Sequence, residues 1–185
     1  MATKRKPNTK AKAAVQAHET DEVKKGKSAL ARKTKAKQQQ QQTPAITPEE
    51  EGALLRLLAI LETGFLATMA DGVIDPAEFD NLGHNFAVWL DQDLNGDDLR
   101  EVLEGFLGHF KEDGLDGRLQ YLSEALDRDS RRVAFDFAAM LSACDGDVAD
   151  EELGMLEHIA KAFGIPKREA QQRFNEICEL VLGDD

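Results

Sequence analysis

The chain has 185 residues with a formal charge of −12, and that single value conceals two opposite pieces. Residues 1–43 hold 12 Lys/Arg against three Asp/Glu, a net of +9, whereas residues 44–185 hold 11 against 32, a net of −21. No apolar run approaches the roughly 18 residues of a membrane span, residues 1–12 lead into no apolar leader core, and Cys144 and Cys178 do not make a disulfide framework. A cytoplasmic protein with reduced thiols is expected.

The first 43 residues contain no Phe, Trp, Tyr or Ile, and their larger aliphatics are Val15, Val23 and Leu30. Such a segment buries too little apolar surface to offset its ordering entropy. Residues 1–46 are therefore predicted to be a disordered basic tail, closing in the polar linker Gln38 to Gln42, with one domain over 47–185.

Order is predicted to begin at Thr47-Pro48-Glu49-Glu50, with Thr47 as N-cap, Pro48 first in the helix and Glu50 completing a capping box. Leu54, Leu55, Leu57, Leu58, Leu61, Phe65, Leu66 and Met69 then recur at helical spacing to about Ala70. Gly72 stops that helix, and Asp75-Pro76-Ala77-Glu78 starts a second that reaches about Leu90. A third carries Leu99, Val102, Leu103, Phe106, Leu107 and Phe110 and ends at Asp113-Gly114; a fourth carries Leu119, Leu122 and Leu126. Ser130 is the expected cap of a fifth, with Val133, Phe135, Phe137, Met140 and Leu141, ending at Gly146. A sixth spans about Asp150 to Phe163, and a seventh follows Gly164-Ile165-Pro166 with Phe174, Ile177, Leu180 and Val181. No segment shows sustained period-two alternation, so the predicted class is all-α, one compact domain of about seven helices.

Residues 66–90 align with residues 140–164 as an internal repeat. Asp71/Asp145, Gly72/Gly146, Glu78/Glu152, Leu82/Leu156 and His84/His158 are identical pairs, and Thr68/Ser142, Ile74/Val148 and Phe79/Leu153 are similar ones. Helix punctuation explains most of these letters. Glycine suits the left-handed residue that ends a helix, Asp75 and Glu78 form a capping box, and Ile74 with Phe79 forms a hydrophobic staple. In the second copy Glu152, Val148 and Leu153 take the same places, though Ala149 replaces the capping Asp75.

Asp71 and Asp145 are not explained this way. Each falls at a helix C-terminal end, where the dipole disfavours an anion by roughly 0.3–1 kcal/mol. A carboxylate placed there twice calls for a positive partner: a bound cation, an Arg or Lys from elsewhere, or another protein. The pattern also fits the second half of an EF-hand loop, but positions 1 and 3 would be Ala67 and Met69, or Leu141 and Ala143, which excludes a complete loop. Two half-loops together could pool Asp71, Glu78, Asp145 and Glu152 into an oxygen-rich site for Ca²⁺ or Mg²⁺, and Asp75, Asp147 and Asp150 lie close enough in sequence to join.

Two other strings read as structural. Asp91-Gln92-Asp93-Leu94-Asn95-Gly96 begins like a calcium loop, yet Val102 stands where the bidentate Glu belongs, so it reads as a loop capping the next helix through Asn95 or Asp97. His84 and His158 each lie roughly 240° around the helix from the Glu of their own repeat, and are expected on the surface. No nucleophile elbow or phosphate loop accompanies Ser142, Cys144 and Asp145, which argues against an enzyme.

Ala70-Asp71-Gly72-Val73-Ile74-Asp75-Pro76-Ala77-Glu78 and Asp145-Gly146-Asp147-Val148-Ala149-Asp150-Glu151-Glu152-Leu153 resemble the turns of the tellurite-resistance TerB-like family. The resemblance covers about residues 48–182. It implies a compact helical domain with the acidic residues of the two turns near one another. It also implies a stress-response role in metal binding and scaffolding of protein partners, without catalysis. By position, the implied metal residues are Asp71, Asp75, Glu78, Asp145 and Glu152. The alternative is a nucleic-acid-associated protein that uses the cations of residues 1–43 with a purely structural helical domain. Lacking interleaved aromatics, that tail would bind weakly and without sequence preference; lacking an apolar face, it would not enter a membrane.

Overall fold

The computed structural model describes residues 21–38, 46–69, 76–90, 96–143 and 149–182, with backbone alone at 34–38, 76–78 and 80. Seven helices and no strand occur among them: α1 (Asp21–Gln38), α2 (Pro48–Thr68), α3 (Pro76–Leu90), α4 (Gly96–Ala125), α5 (Arg128–Ala143), α6 (Asp150–Ala162) and α7 (Lys167–Leu182). They bury one apolar core in a single compact domain. None of the described helices is long and apolar enough to cross a membrane.

The N-terminal signal of α2 behaves as the spacing predicts. Glu50 N donates to Thr47 Oγ1 at 3.2 Å, and Thr47 N donates back to Glu50 Oε2 at 3.1 Å. Hydrogen bonding to the carboxylate by the Thr47 amide, aided by Arg32, holds the Glu50 carboxyl below its ordinary pKa. At the far end of the chain Gly164 adopts φ 67°, and Ile165 N reaches back to Ala160 O at 2.9 Å, closing α6.

The break predicted at Asp113-Gly114 is present: Gly114, at φ 68° and ψ 176°, leaves the helical conformation, so α4 is two helical stretches joined at a kink. Several other expectations are corrected. α5 begins two residues before Ser130: Asp127 Oδ1 accepts the amides of Asp129 at 3.0 Å and Ser130 at 2.8 Å, so Asp127 is the cap. Ser130 is buried in the first turn instead. Leu55, counted with the apolar stripe of α2, is exposed. Asp97, offered as a cap, lies inside the first turn of α4; residues 91–95 fall outside the described residues.

The largest correction concerns the tail. Residues 21–38 are helical as α1, which packs antiparallel on α2. Val23 and Ala29 are fully buried, and a Cβ at Gly26 would collide with the Ala53 carbonyl oxygen, so the two backbones nearly touch there. Lys27 is buried too. Its Nζ sits 3.8 Å from the centre of the Trp89 indole and donates to Trp89 O at 3.0 Å, combining a cation–π contact with a bond to the last turn of α3. Around this seam Lys25 pairs with Glu22 and Glu49, Arg32 with Glu50, and Arg56 with Glu22. The order of α1 thus comes from tertiary contacts that local composition does not announce.

Candidate functional site

The two halves of the repeat meet through α2 and α5. Asp127, just before α5, feels the charge of Arg56 in the first half of α2. Further along, Gly64 lies against Phe137 and Leu141, and a Cβ there would stand 2.5 Å from Phe137 Cε1 and 2.8 Å from Leu141 Cδ1. Matching early with early and late with late means that the helices run parallel. Their C-terminal residues, Thr68 and Ala143, therefore lie at the same end of the pair, and each is followed within three residues by an Asp-Gly dipeptide. Phe137 anchors the contact, with ring centres 4.4 Å from Trp89 and 5.4 Å from Phe86.

Each of the parallel helices carries one buried carboxylate, at positions the repeat makes equivalent: Glu62 and Asp136. Arg118, from α4 just past the bend, grips Glu62 with two parallel bonds of 2.9 Å and reaches Asp113 at 3.0 Å. Burial lowers the Arg118 pKa, but the Glu62 and Asp113 carboxylates outweigh it and raise the net value. Arg173, from α7, grips both oxygens of Asp136 at 2.9 and 2.7 Å. Next to it Arg132 Nε holds Glu169 Oε1 at 2.5 Å, and that hydrogen bond keeps the Glu169 carboxyl below its ordinary range. These pairs tie the third helix of each half onto the parallel pair. Glu62, Arg118 and Asp136 are buried, and Arg173, Arg132 and Glu169 are part-buried, so the pairs are structural in character.

Of the residues singled out from sequence, Asp71, Asp75 and Asp145 lie outside the described residues. Glu78 is in the first turn of α3, with its backbone alone described. Glu152, half-buried in the first turn of α6, accepts the Ala149 amide through Oε2 at 2.9 Å. Ala149 has no side chain to return that bond, so half of the expected capping box is present. Among the described residues no three His, Cys, Asp or Glu side chains come close enough to hold a metal ion.

One polar group beside the second turn is anomalous. Ser142 Oγ, three residues before Asp145, is buried with no hydrogen-bond partner among the described residues. Its counterpart Thr68 satisfies its hydroxyl by donating to Phe65 O at 2.8 Å. His84 and His158 are exposed, as expected, and His158 Nε2 meets Asp116 Oδ1 at 2.8 Å. Cys178 is a free thiol whose pKa is raised by burial; Cys144 falls outside the described residues.

Sequence reasoning missed Glu62 and Asp136. A usable signal existed, because extending the repeat alignment four residues toward the N-terminus pairs them, and each interrupts an otherwise apolar stretch. No family model, curated protein or solved structure matches the chain.

Proposed function

We propose that the chain is a TerB-like, non-enzymatic binding module of the cytoplasm that acts as a scaffold for protein partners in tellurite or related stress response. Its functional end carries the two Asp-Gly turns, and these pool Asp71, Asp75, Glu78, Asp145 and Glu152 around one divalent cation, Ca²⁺ or Mg²⁺. The observation that carries this reading is the parallel packing of α2 on α5, which starts both turns from the same end of one helix pair. Two helix C-termini side by side concentrate partial negative charge, and an aspartate following each makes the end more unfavourable still unless a cation neutralises it. Carboxylate and carbonyl oxygens are the ligands a hard cation takes. The Ala149 amide holds the Glu152 carboxyl at the start of α6, and the Ser142 hydroxyl, without a partner among the described residues, adds an oxygen three residues before Asp145.

Titration calorimetry tests the metal. Heat of binding is expected with Ca²⁺ or Mg²⁺ in the wild-type chain and none in the Asp71→Asn, Asp145→Asn double variant. A wild-type chain giving no heat with Ca²⁺, Mg²⁺, Mn²⁺ or Zn²⁺ removes the cation and leaves a scaffold whose acidic turns meet a cationic partner surface.

A further inference from the structure

A second feature stands apart from the turns, and its failure would leave them untouched. α1 is a strongly basic helix lying on a strongly acidic domain. Lys25 and Arg32 face Glu49 and Glu50 of α2, Lys27 is buried over Trp89, and Lys24 and Lys33 remain exposed. The apolar part of this seam is small, amounting to Val23, Ala29 and part of Leu30. Exposed ion pairs of the kind around it are individually weak and screened by salt.

We infer that α1 is a nucleic-acid-binding helix held in reserve: docking on α2 sequesters Lys25, Lys27 and Arg32, and duplex phosphates compete with the acidic face for them. The charge arrangement favours a duplex over a bilayer. Lys24, Lys25, Lys27, Arg32 and Lys33 point to several sides of the helix, so undocked α1 has no broad apolar face to insert into lipid, while a helix with cations on several sides meets phosphates on both walls of a groove. The remaining cations of residues 1–20 would add to the same sequence-independent attraction. The acidic domain then works as an internal competitor. Its competition is strongest at low salt, where its ion pairs are least screened, and it yields where phosphate is dense.

Trp89 is the only tryptophan, and Lys27 rests on its ring, so its emission reports docking directly. The experiment titrates the full chain with a fluorescently labelled 20-base-pair duplex, following duplex anisotropy and Trp89 emission together at several salt concentrations. Gly26→Val, which places a side chain against the Ala53 carbonyl, serves as the undocked form. Binding of the wild type is expected to red-shift Trp89 in step with anisotropy. Gly26→Val is expected to start red-shifted, to bind about tenfold more tightly, and to steepen the slope of log K against log salt by about three, one unit for each released cation. The inference is overturned if neither chain binds, or if the duplex saturates the wild type with Trp89 unchanged. It is equally overturned if red-shifted Gly26→Val binds no more tightly, if Gly26→Val is not red-shifted, or if anionic vesicles shift Trp89 where the duplex does not.

Discussion

Glu62→Ala is expected to destabilise the protein by about 3–5 kcal/mol, the cost of leaving a buried charge without its partner. The reason lies with Arg118 more than with Glu62 itself. The guanidinium belongs to a residue 6% exposed, and Glu62 takes two of the hydrogen bonds it donates to carboxylates; Asp113, on the surface, takes another. Removing Glu62 strands a group that cannot lose its charge at any accessible pH. The double replacement Glu62→Leu, Arg118→Met removes both charges together and is expected to cost far less than the single change, because buried pairs are near break-even against apolar groups of similar size. Urea unfolding midpoints of the wild type and both variants measure this. Equal losses in the single and double variants would show that side-chain packing, and not the stranded charge, sets the cost. Asp136→Ala is the matching change in the second half of the repeat and should cost less, because Arg173 is part-exposed and keeps Glu169 at 3.5 Å.

Gly64→Val is expected to cost at least about 1–3 kcal/mol, the usual penalty for overfilling a packed core. The new side chain would enter space held by Phe137 and Leu141, on an α5 that cannot retreat without moving Phe137 off Trp89 and Phe86. The position is informative because the same residue type behaves oppositely elsewhere. A Cβ added at Gly108, inside α4, would meet nothing within 4 Å, so Gly108→Ala should gain about 0.5–1 kcal/mol from helix propensity alone. Thermal melting of both variants separates the two cases: the Gly64 variant falls, the Gly108 variant rises. A neutral Gly64→Val would mean that α2 and α5 do not approach as closely as the fold requires.

The helical architecture from residue 47 onward was readable where apolar residues recur at helical spacing and punctuation is explicit, as at Thr47-Pro48-Glu49-Glu50 or Gly164-Ile165-Pro166. Its finer points were not, for separate physical reasons. Asp127-Arg128-Asp129-Ser130 offers three competent caps in four residues, and burial of Ser130 decides among them. α1 carries too few aliphatics to form an amphipathic pattern, and what orders it is tertiary: Val23, Gly26 and Ala29 packed at α2 and a lysine on an indole 62 residues away. Glu62 and Asp136 look like breaks in an apolar stripe because their arginines come from helices far along the chain. The candidate site divides in the same way. The repeat was legible as pattern, whereas the parallel course of α2 and α5, which makes two turns one end, is a property of packing.

That shared end makes a stronger claim than two acidic turns would make separately. If one ion bridges the turns, Mn²⁺ followed by electron paramagnetic resonance should bind at one per chain. Asp71→Asn and Asp145→Asn should then each, alone, weaken it at least tenfold, about 1.4 kcal/mol, with helix content unchanged. Two ions per chain, each lost with only its own aspartate, would contradict the account, as would Mn²⁺ binding that neither substitution disturbs.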